Sequence, residues 1–201
     1  LAADITEEGT IAKLIDHLGV TEIQGVFVNA GGPPAKSFLE TEMQDWDLAY
    51  NNLLRWKVEL VKKLIPGFVD RNYGRILFLE SSSVKQPIEN LVLSTSLRMG
   101  VVGMAKTLSQ EIADKGITVN VLAPGSHNTS AIERLIQKKS ETSGMSYHEA
   151  KSLFEKNTNV GFMGDPEDLA SLALWLLSPT SKYITGQTSS ISGGSISGVF
   201  G

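Results

Sequence analysis

Ile76-Leu77-Phe78-Leu79-Glu80-Ser81-Ser82-Ser83 is the most telling stretch of the sequence, because four large apolar side chains in a row run directly into four polar ones. A strand with one wet face alternates apolar and polar residues. A strand that is apolar at every position must be buried on both faces, as in a parallel sheet between helices. The same pattern recurs upstream, where Val26-Phe27-Val28 runs into Asn29-Ala30-Gly31-Gly32-Pro33-Pro34. Downstream, Ile117, Val119 and Val121 mark a strand that ends at Pro124-Gly125-Ser126-His127-Asn128-Thr129, and a last one, about 187–191, runs into Ser192-Gly193-Gly194. The first residues, Leu1-Ala2-Ala3-Asp4-Ile5, also read like the end of a strand.

Between these strands the apolar period changes from consecutive to helical. Ile11, Leu14, Ile15 and Leu18 fall at i, i+3, i+4, i+7 with Gly19 as a stop, predicting a helix over about 7–18. Thr41 with Gln44 reads as a capping box opening one long helix through Trp46, Tyr50, Leu53, Leu54, Val61, Leu64, Ile65 and Phe68. Another long helix is expected over about 92–115, stopped by Gly116, and two weaker ones over about 131–139 and 147–156, the latter with a Ser146/Glu149 box. Asp165-Pro166 opens a clear helix with Leu169, Leu172, Ala173 and Leu176 on one face. Strands alternating with helices in this way give an α/β, doubly wound, mostly parallel sheet.

Composition narrows the function classes. The 201 residues fit one domain, and with 41% hydrophobic residues, 19 glycines and 7 prolines the chain is neither disordered nor collagen-like. A net charge of −4 lacks the basic excess of a nucleic-acid binder. No apolar run approaches the ~20 residues needed to span a bilayer, so no membrane partner is expected. The absence of cysteine excludes disulfides, thiolate metal sites and thiol nucleophiles, and fits a reducing, cytoplasmic setting. No metal site is expected, and no internal repeat is visible.

In doubly wound sheets ligands bind beyond the carboxyl ends of the strands. That points to three loops, 29–34, 80–83 and 124–129, each small and polar directly after a strand. Taken singly, such residues are ordinary turn formers. Three in succession describe a shared crevice where a ligand can approach backbone amides closely.

Asp4-Ile5-Thr6, Asn29-Ala30-Gly31, Gly74-Arg75-Ile76 followed by Ser81, Pro124-Gly125 with Thr129, Gly164-Asp165-Pro166-Glu167-Asp168-Leu169-Ala170, and Ile184-Thr185-Gly186-Gln187 leading to Gly193-Gly194 stand in a telling order. In order and spacing they resemble the short-chain dehydrogenase/reductase family, most of all members described as 3-oxoacyl-acyl-carrier-protein reductases. The resemblance covers the whole chain. It implies a Rossmann-like fold, a small-molecule substrate, NADP or NAD as cofactor, and a homo-oligomer, dimer or tetramer, built on the two long helices. It also implies that Asp4 hydrogen-bonds the adenine, that Asn29, Ala30 and Gly31 line the adenosine ribose side, and that Pro124, Gly125 and Thr129 contact the nicotinamide end. The competing structural roles are helix caps for Asp4 and Thr129. Residues of about 130–162 correspond to the family's mobile helical lid, with a flexible break at Glu141-Thr142-Ser143-Gly144-Met145.

Two departures accompany the match. The family's opening strands and glycine-rich phosphate turn have no counterpart, and Gly31-Gly32 lacks the spacing to replace them. Either the sequence is a fragment of a longer chain or the protein does not hold a dinucleotide in the family manner. A sheet lacking its first strands would expose a costly buried-type edge, which favours the fragment. The family's catalytic group is also altered. Counting back from Gly103-Met104-Ala105-Lys106-Thr107-Leu108 puts Ser94 at the Tyr position and Arg98 at the Lys position, while Ser81, thirteen residues before Ser94, keeps the Ser position. Leu53, and not the adjacent Asn52, takes the Asn position.

A Tyr with a pKa of about 10, lowered by its surroundings, exchanges a proton with substrate in the family. A serine hydroxyl is far too weak an acid for that, and Arg98 stays protonated, although it can stabilise an oxyanion. The expected function is therefore NAD(P)-dependent hydride transfer with Ser81, Ser94 and Arg98 as the catalytic group. The substrate is a small carbonyl or alcohol, or a conjugated alkene whose developing oxyanion needs a fixed donor. The alternative is a homologue that has lost catalysis and serves as a cofactor-binding or structural subunit. A hydrolase is disfavoured because Ser81 has no His and Asp partners. Lys85 and His127 are candidate proton donors, with a solvated loop position as the simpler reading of each. His17 and His148 read as surface residues, and Trp46, Trp56 and Trp175 as helix packing.

Overall fold

The structure is a computed structural model that describes residues 2–19 and 23–199. Its strands β1 (Gly25–Asn29), β2 (Gly74–Leu79), β3 (Ile117–Pro124) and β4 (Thr188–Ile191) form one sheet in that order, every neighbouring pair parallel. Between them run α1 (Thr10–Leu18), α2 (Met43–Tyr50), α3 (Trp56–Arg71), α4 (Val92–Ile112), α5 (Ser130–Ser143), α6 (Tyr147–Lys156) and α7 (Pro166–Leu177). Leu1 lies outside the described residues, and residues 2–5 form no strand, which corrects the expectation of a strand end there.

Alternate residues of the central strands feed two separate cores. Val28, Ile76, Phe78, Val119 and Val121 pack with Leu60, Leu64, Phe68, Val101 and Ala105 of α3 and α4 on one face. Leu77 and Leu122 meet Ala173 and Leu176 of α7 on the other. Both faces of β2 and β3 are thus covered, as continuous apolar runs require. β1 differs: it is an edge strand, and Phe27 is 40% exposed. β4, the other edge, is half-buried along its length.

The long second helix is not uniform. Residues Asn51–Arg55 wind as a π-helix between α2 and α3, with Leu53 fully buried inside it and the indole N–H of Trp56 donating to Asn52 O at 2.8 Å. The expected Thr41/Gln44 box lies one residue away, because Glu42 and Asp45 cap α2, while Thr41 accepts from Trp46 Nε1 at 3.1 Å. The Ser146/Glu149 box opens α6 and the Asp165/Asp168 box opens α7 with Pro166 at its start. α5 continues through Ser143, so the break expected over 141–145 begins only at Gly144, whose φ of 71° ends the helix. α5 and α6 carry a small core of their own, Ile136, Ala150 and Met163, separate from the two sheet cores. Trp56 is buried, whereas Trp175 is 43% exposed and does not pack as expected.

Candidate active site

The carboxyl ends of β1, β2 and β3 lie side by side, Asn29 pairing with Leu79 and Leu79 with Leu122, so the three polar loops emerge together. Beyond β1, Asn29, Ala30, Gly31, Gly32 and Pro33 line a cleft of about 370 Å³ with Ile5, Asn52 and Trp56. Gly31 has open space where a side chain would stand, leaving its backbone accessible. Asp4, beside Ile5, is exposed and accepts from the N–H and hydroxyl of Thr6, at 2.9 and 2.7 Å. It does not cap α1, whose N-cap is Gly9. Beyond β3, Gly125 packs so closely on Ser192 that a Cβ would sit 3.0 Å from its Cα. Gly125 and Ser126 share a second cleft, of about 430 Å³, with Ser82, Gln86, Ile88, Phe154, Asn157, Thr158, Ser195 and Ile196. Thr129 caps α5, its Oγ1 accepting from Ile132 N at 3.5 Å, so the structural role considered for it is present.

Ser94 and Arg98 sit one turn apart on the buried face of α4, and Arg98 Nε donates to Ser94 Oγ at 3.1 Å. The other edge of the guanidinium is occupied as well. NH1 donates to Glu80 Oε2 at 2.9 Å and NH2 to Ala30 O at 3.3 Å, linking α4 to the loops after β2 and β1. Glu80 Oε1 receives Lys57 Nζ of α3 at 2.6 Å, and the Lys57 and Glu80 side chains are both fully buried. Burial pushes the Lys57 ammonium below its ordinary pKa, with the Glu80 carboxylate opposing that shift and Arg98 adding to it. The cluster holds two cations and one carboxylate. Its remaining positive charge lies against the β1 loop, where an electron-rich ligand oxygen is favoured.

Ser81 caps the 3-10 turn Ser82–Val84 by accepting from Ser83 N at 3.2 Å, and it stays half-buried, lining neither of the two clefts. The two loop candidates separate. Lys85 is half-buried beside Lys106, Gly186 and Gln187, in a hollow distinct from the two clefts above. His127 is buried, which corrects its reading as a solvated loop residue. Its Nδ1 lies 3.1 Å from Gly125 O, and its Nε2 faces Gly164 with no hydrogen-bond partner. His17 and His148 are exposed. Among the described residues no group of three or more His, Cys, Asp or Glu could hold a metal, and no helix is long and apolar enough to cross a membrane.

Lys57 and Glu80 escape a reading that follows motifs, yet a signal exists for both. Lys57 falls in register with Leu60, Val61 and Leu64, on the apolar face of its helix, and Glu80 ends a strand buried on both sides. A charge at either position demands a partner.

A family model described as Enoyl-(Acyl carrier protein) reductase matches residues 1–195. Dehydrogenase/reductase SDR family member 6 of Aquarana catesbeiana is 29% identical over 196 residues, 95% of this chain and 76% of that protein. The 3-oxoacyl-acyl-carrier-protein reductase of Vibrio harveyi is 26% identical over 198 residues, 96% of this chain and 76% of that protein. Among solved structures, YwfH, described as an NADPH dependent reductase involved in bacilysin biosynthesis, superposes with a TM-score of 0.92 at 22% identity, covering 99% of this chain and 78% of that one. A short chain dehydrogenase family protein from Francisella tularensis gives 0.85 at 26% identity, covering 97% and 80%. Family model, relatives and fold agree, and the chain belongs to the short-chain dehydrogenase/reductase family.

Proposed function

We propose that the chain is a cytoplasmic NAD(P)-dependent oxidoreductase that adds hydride to a small conjugated alkene or carbonyl compound. Ser94 and Ser81 hydrogen-bond the substrate oxygen, and Arg98 charges Ser94 from behind. The observation that carries this reading is the Arg98 Nε hydrogen bond to Ser94 Oγ, the one hydrogen bond that the Ser94 side chain makes among the described residues. An oxygen accepting from a guanidinium holds its own O–H polarised and free to donate outward. Asn29, Ala30 and Gly31, with Asp4 nearby in sequence, fit the adenosine half of a dinucleotide, given the open cleft and bare Gly31 backbone. The family resemblance puts the nicotinamide half against Pro124, Gly125 and Thr129, of which Gly125 lines the second cleft. When bound, the dinucleotide supplies the hydride. For a conjugated alkene the hydride forms the new C–H bond at the β-carbon, the C=C electron pair shifts toward oxygen, and a proton from water completes the α-carbon. Ser94 and Ser81 stabilise the charge while it resides on oxygen, which needs a fixed donor and no acid of matched pKa.

Residues of about 130–162 act as a lid over the second cleft. The supporting observations are the separate small core of α5 and α6 and the presence of Phe154, Asn157 and Thr158 in the cleft wall. Copies of the chain associate through the long helices, whose Met43, Leu48, Tyr50 and Met99 are exposed.

The competing reading, a homologue that binds cofactor without catalysis, draws support from the engagement of all three Arg98 nitrogens by Glu80, Ser94 and Ala30, the pattern of a structural clamp. Titration with NADPH and NADH, followed by nicotinamide fluorescence, and turnover of 2-cyclohexen-1-one against cyclohexanone separate the two. Micromolar binding with enone turnover is expected. Binding without turnover of any enone or ketone establishes the competing reading, ketone turnover with inert enones removes the alkene chemistry, and no binding removes both readings.

A further inference from the structure

We propose that Glu80 and Lys57 are positioning residues of this site, setting the orientation of the Arg98 guanidinium and through it the direction in which Ser94 offers its proton. The proposal rests on the reading above that Ser94 meets the substrate oxygen.

A guanidinium is planar and rigid, so two fixed contacts determine where its third edge points. Here Glu80 Oε2 takes NH1 at 2.9 Å, Ala30 O takes NH2 at 3.3 Å, and Nε is left aimed at Ser94 Oγ at 3.1 Å. Glu80 is itself held from two sides. Its backbone N–H donates to Leu122 O at 2.8 Å, and its second carboxylate oxygen takes the Lys57 ammonium at 2.6 Å. Four elements, α3, β2, α4 and the β1 loop, thus converge on one carboxylate and one guanidinium.

Stability alone is a poor reason for this arrangement. Buried ion pairs are often no better for folding than apolar side chains of similar volume, and this cluster also buries one cation more than its carboxylate neutralises. Its surplus charge reaches Ser94 through Arg98 Nε and the β1 loop through the contact to Ala30 O. A serine inside a helix commonly turns its hydroxyl back to the carbonyl four residues earlier. Ser94 is the third residue of α4, so the residue four earlier, Asn90, lies before the helix with φ 61° and offers no such carbonyl; Asn90 O accepts from Lys36 N at 2.8 Å. The hydroxyl proton therefore has no acceptor within the described protein, and its oxygen is anchored from the cluster side.

The test combines a spectroscopic and a kinetic reading on the full-length protein. In side-chain ¹⁵N–¹H spectra the Arg98 Nε–H of the unaltered protein exchanges slowly with solvent. Glu80→Gln together with Lys57→Met removes one charge of each sign, so the net charge is kept. In this double variant the Nε–H is expected to exchange about tenfold faster or more. With NADPH and 2-cyclohexen-1-one, kcat is expected to fall about tenfold or more while KM stays within about twofold, as for a contact that matters in the transition state. Glu80→Asp, which keeps the charge one methylene further away, should recover part of both. If the double variant fails to fold, Glu80→Asp alone provides the readings, with the same signs and smaller size.

An Arg98 Nε–H as protected as in the unaltered protein overturns the proposal, whatever the activity. So does native kcat in the double variant while Ser94→Ala is inactive. Native kcat in Ser94→Ala overturns the underlying reading of Ser94 instead. If no enone is turned over, the exchange rate of Arg98 alone decides.

Discussion

Glu80 is the residue on which most of the site depends, since it satisfies two buried cations at once. Glu80→Ala leaves both without a counter-charge and is expected to destabilise the fold by about 3–5 kcal/mol in urea unfolding, the usual cost of breaking a buried pair. Ser94→Ala removes one acceptor from Arg98, costs about 1 kcal/mol, and is expected to lower reductase turnover by about 100-fold or more, so stability and activity part company at this position. The motif residues were legible as types and spacings, and the structure brings Ser94, Arg98 and Ala30 into one hydrogen-bonded group. What counting left out was the partner of Arg98. Spacing relates residues on one element, whereas Lys57, Glu80 and Arg98 come from three, and only a tertiary contact selects among the possible pairings. His127 shows the same limit. A loop position after Pro124-Gly125 reads as solvated, yet packing against Gly164 buries it.

For the elements, hydrophobic period located the α-helices between the strands, with α2 and α3 expected as one, and end signals located the caps to within a few residues. The shift from Thr41/Gln44 to Glu42/Asp45 reflects a competing use of Thr41, which accepts from the Trp46 indole. The π segment at Asn51–Arg55 has no period of its own and was invisible in sequence, because it is imposed by burying Leu53 and turning Trp56 inward. Capping carboxylates make the helix starts acid-sensitive. Glu40, Asp45 and Glu149 are all held below their ordinary values of 4.5, 3.8 and 4.5, chiefly by the Ser37 N–H, the Glu42 N–H and the Ser146 hydroxyl respectively. Depressed folded-state values mean that the unfolded chain binds protons first. The stabilisation is thus complete above the ordinary values and lost as pH falls through the folded ones. The protection factors of amides in the first turn of α6 are expected to fall as pH drops below the ordinary value of 4.5, and Glu149→Gln should flatten that dependence. Gly116, which stops the 3-10 turn after α4, has φ 70° and would place a Cβ 2.3 Å from Asn72 O. Gly116→Ala is expected to cost about 2 kcal/mol or more in chemical denaturation, combining left-handed strain with a clash.

For the whole molecule, the alternation of apolar strands and helices dictated a parallel α/β sheet, and the observed order β1-β2-β3-β4 with cores on both faces is its realisation. Association through the long helices is expected to give a dimer or tetramer in light scattering, and Met43→Glu with Leu48→Glu to give a monomer with unchanged circular dichroism. The elements and the carboxyl-end loops follow from periodicity and local turn chemistry along one stretch of chain, and the family from the resemblance of its motifs. Tertiary packing was needed to settle that Arg98 pairs with Glu80, that Lys57 shares the same carboxylate, that Phe27 stays exposed at the edge and that His127 is buried. Each of these depends on which elements come to lie next to one another, and the desolvation and pairing of a charge is a property of that neighbourhood, not of the residue's place in the chain.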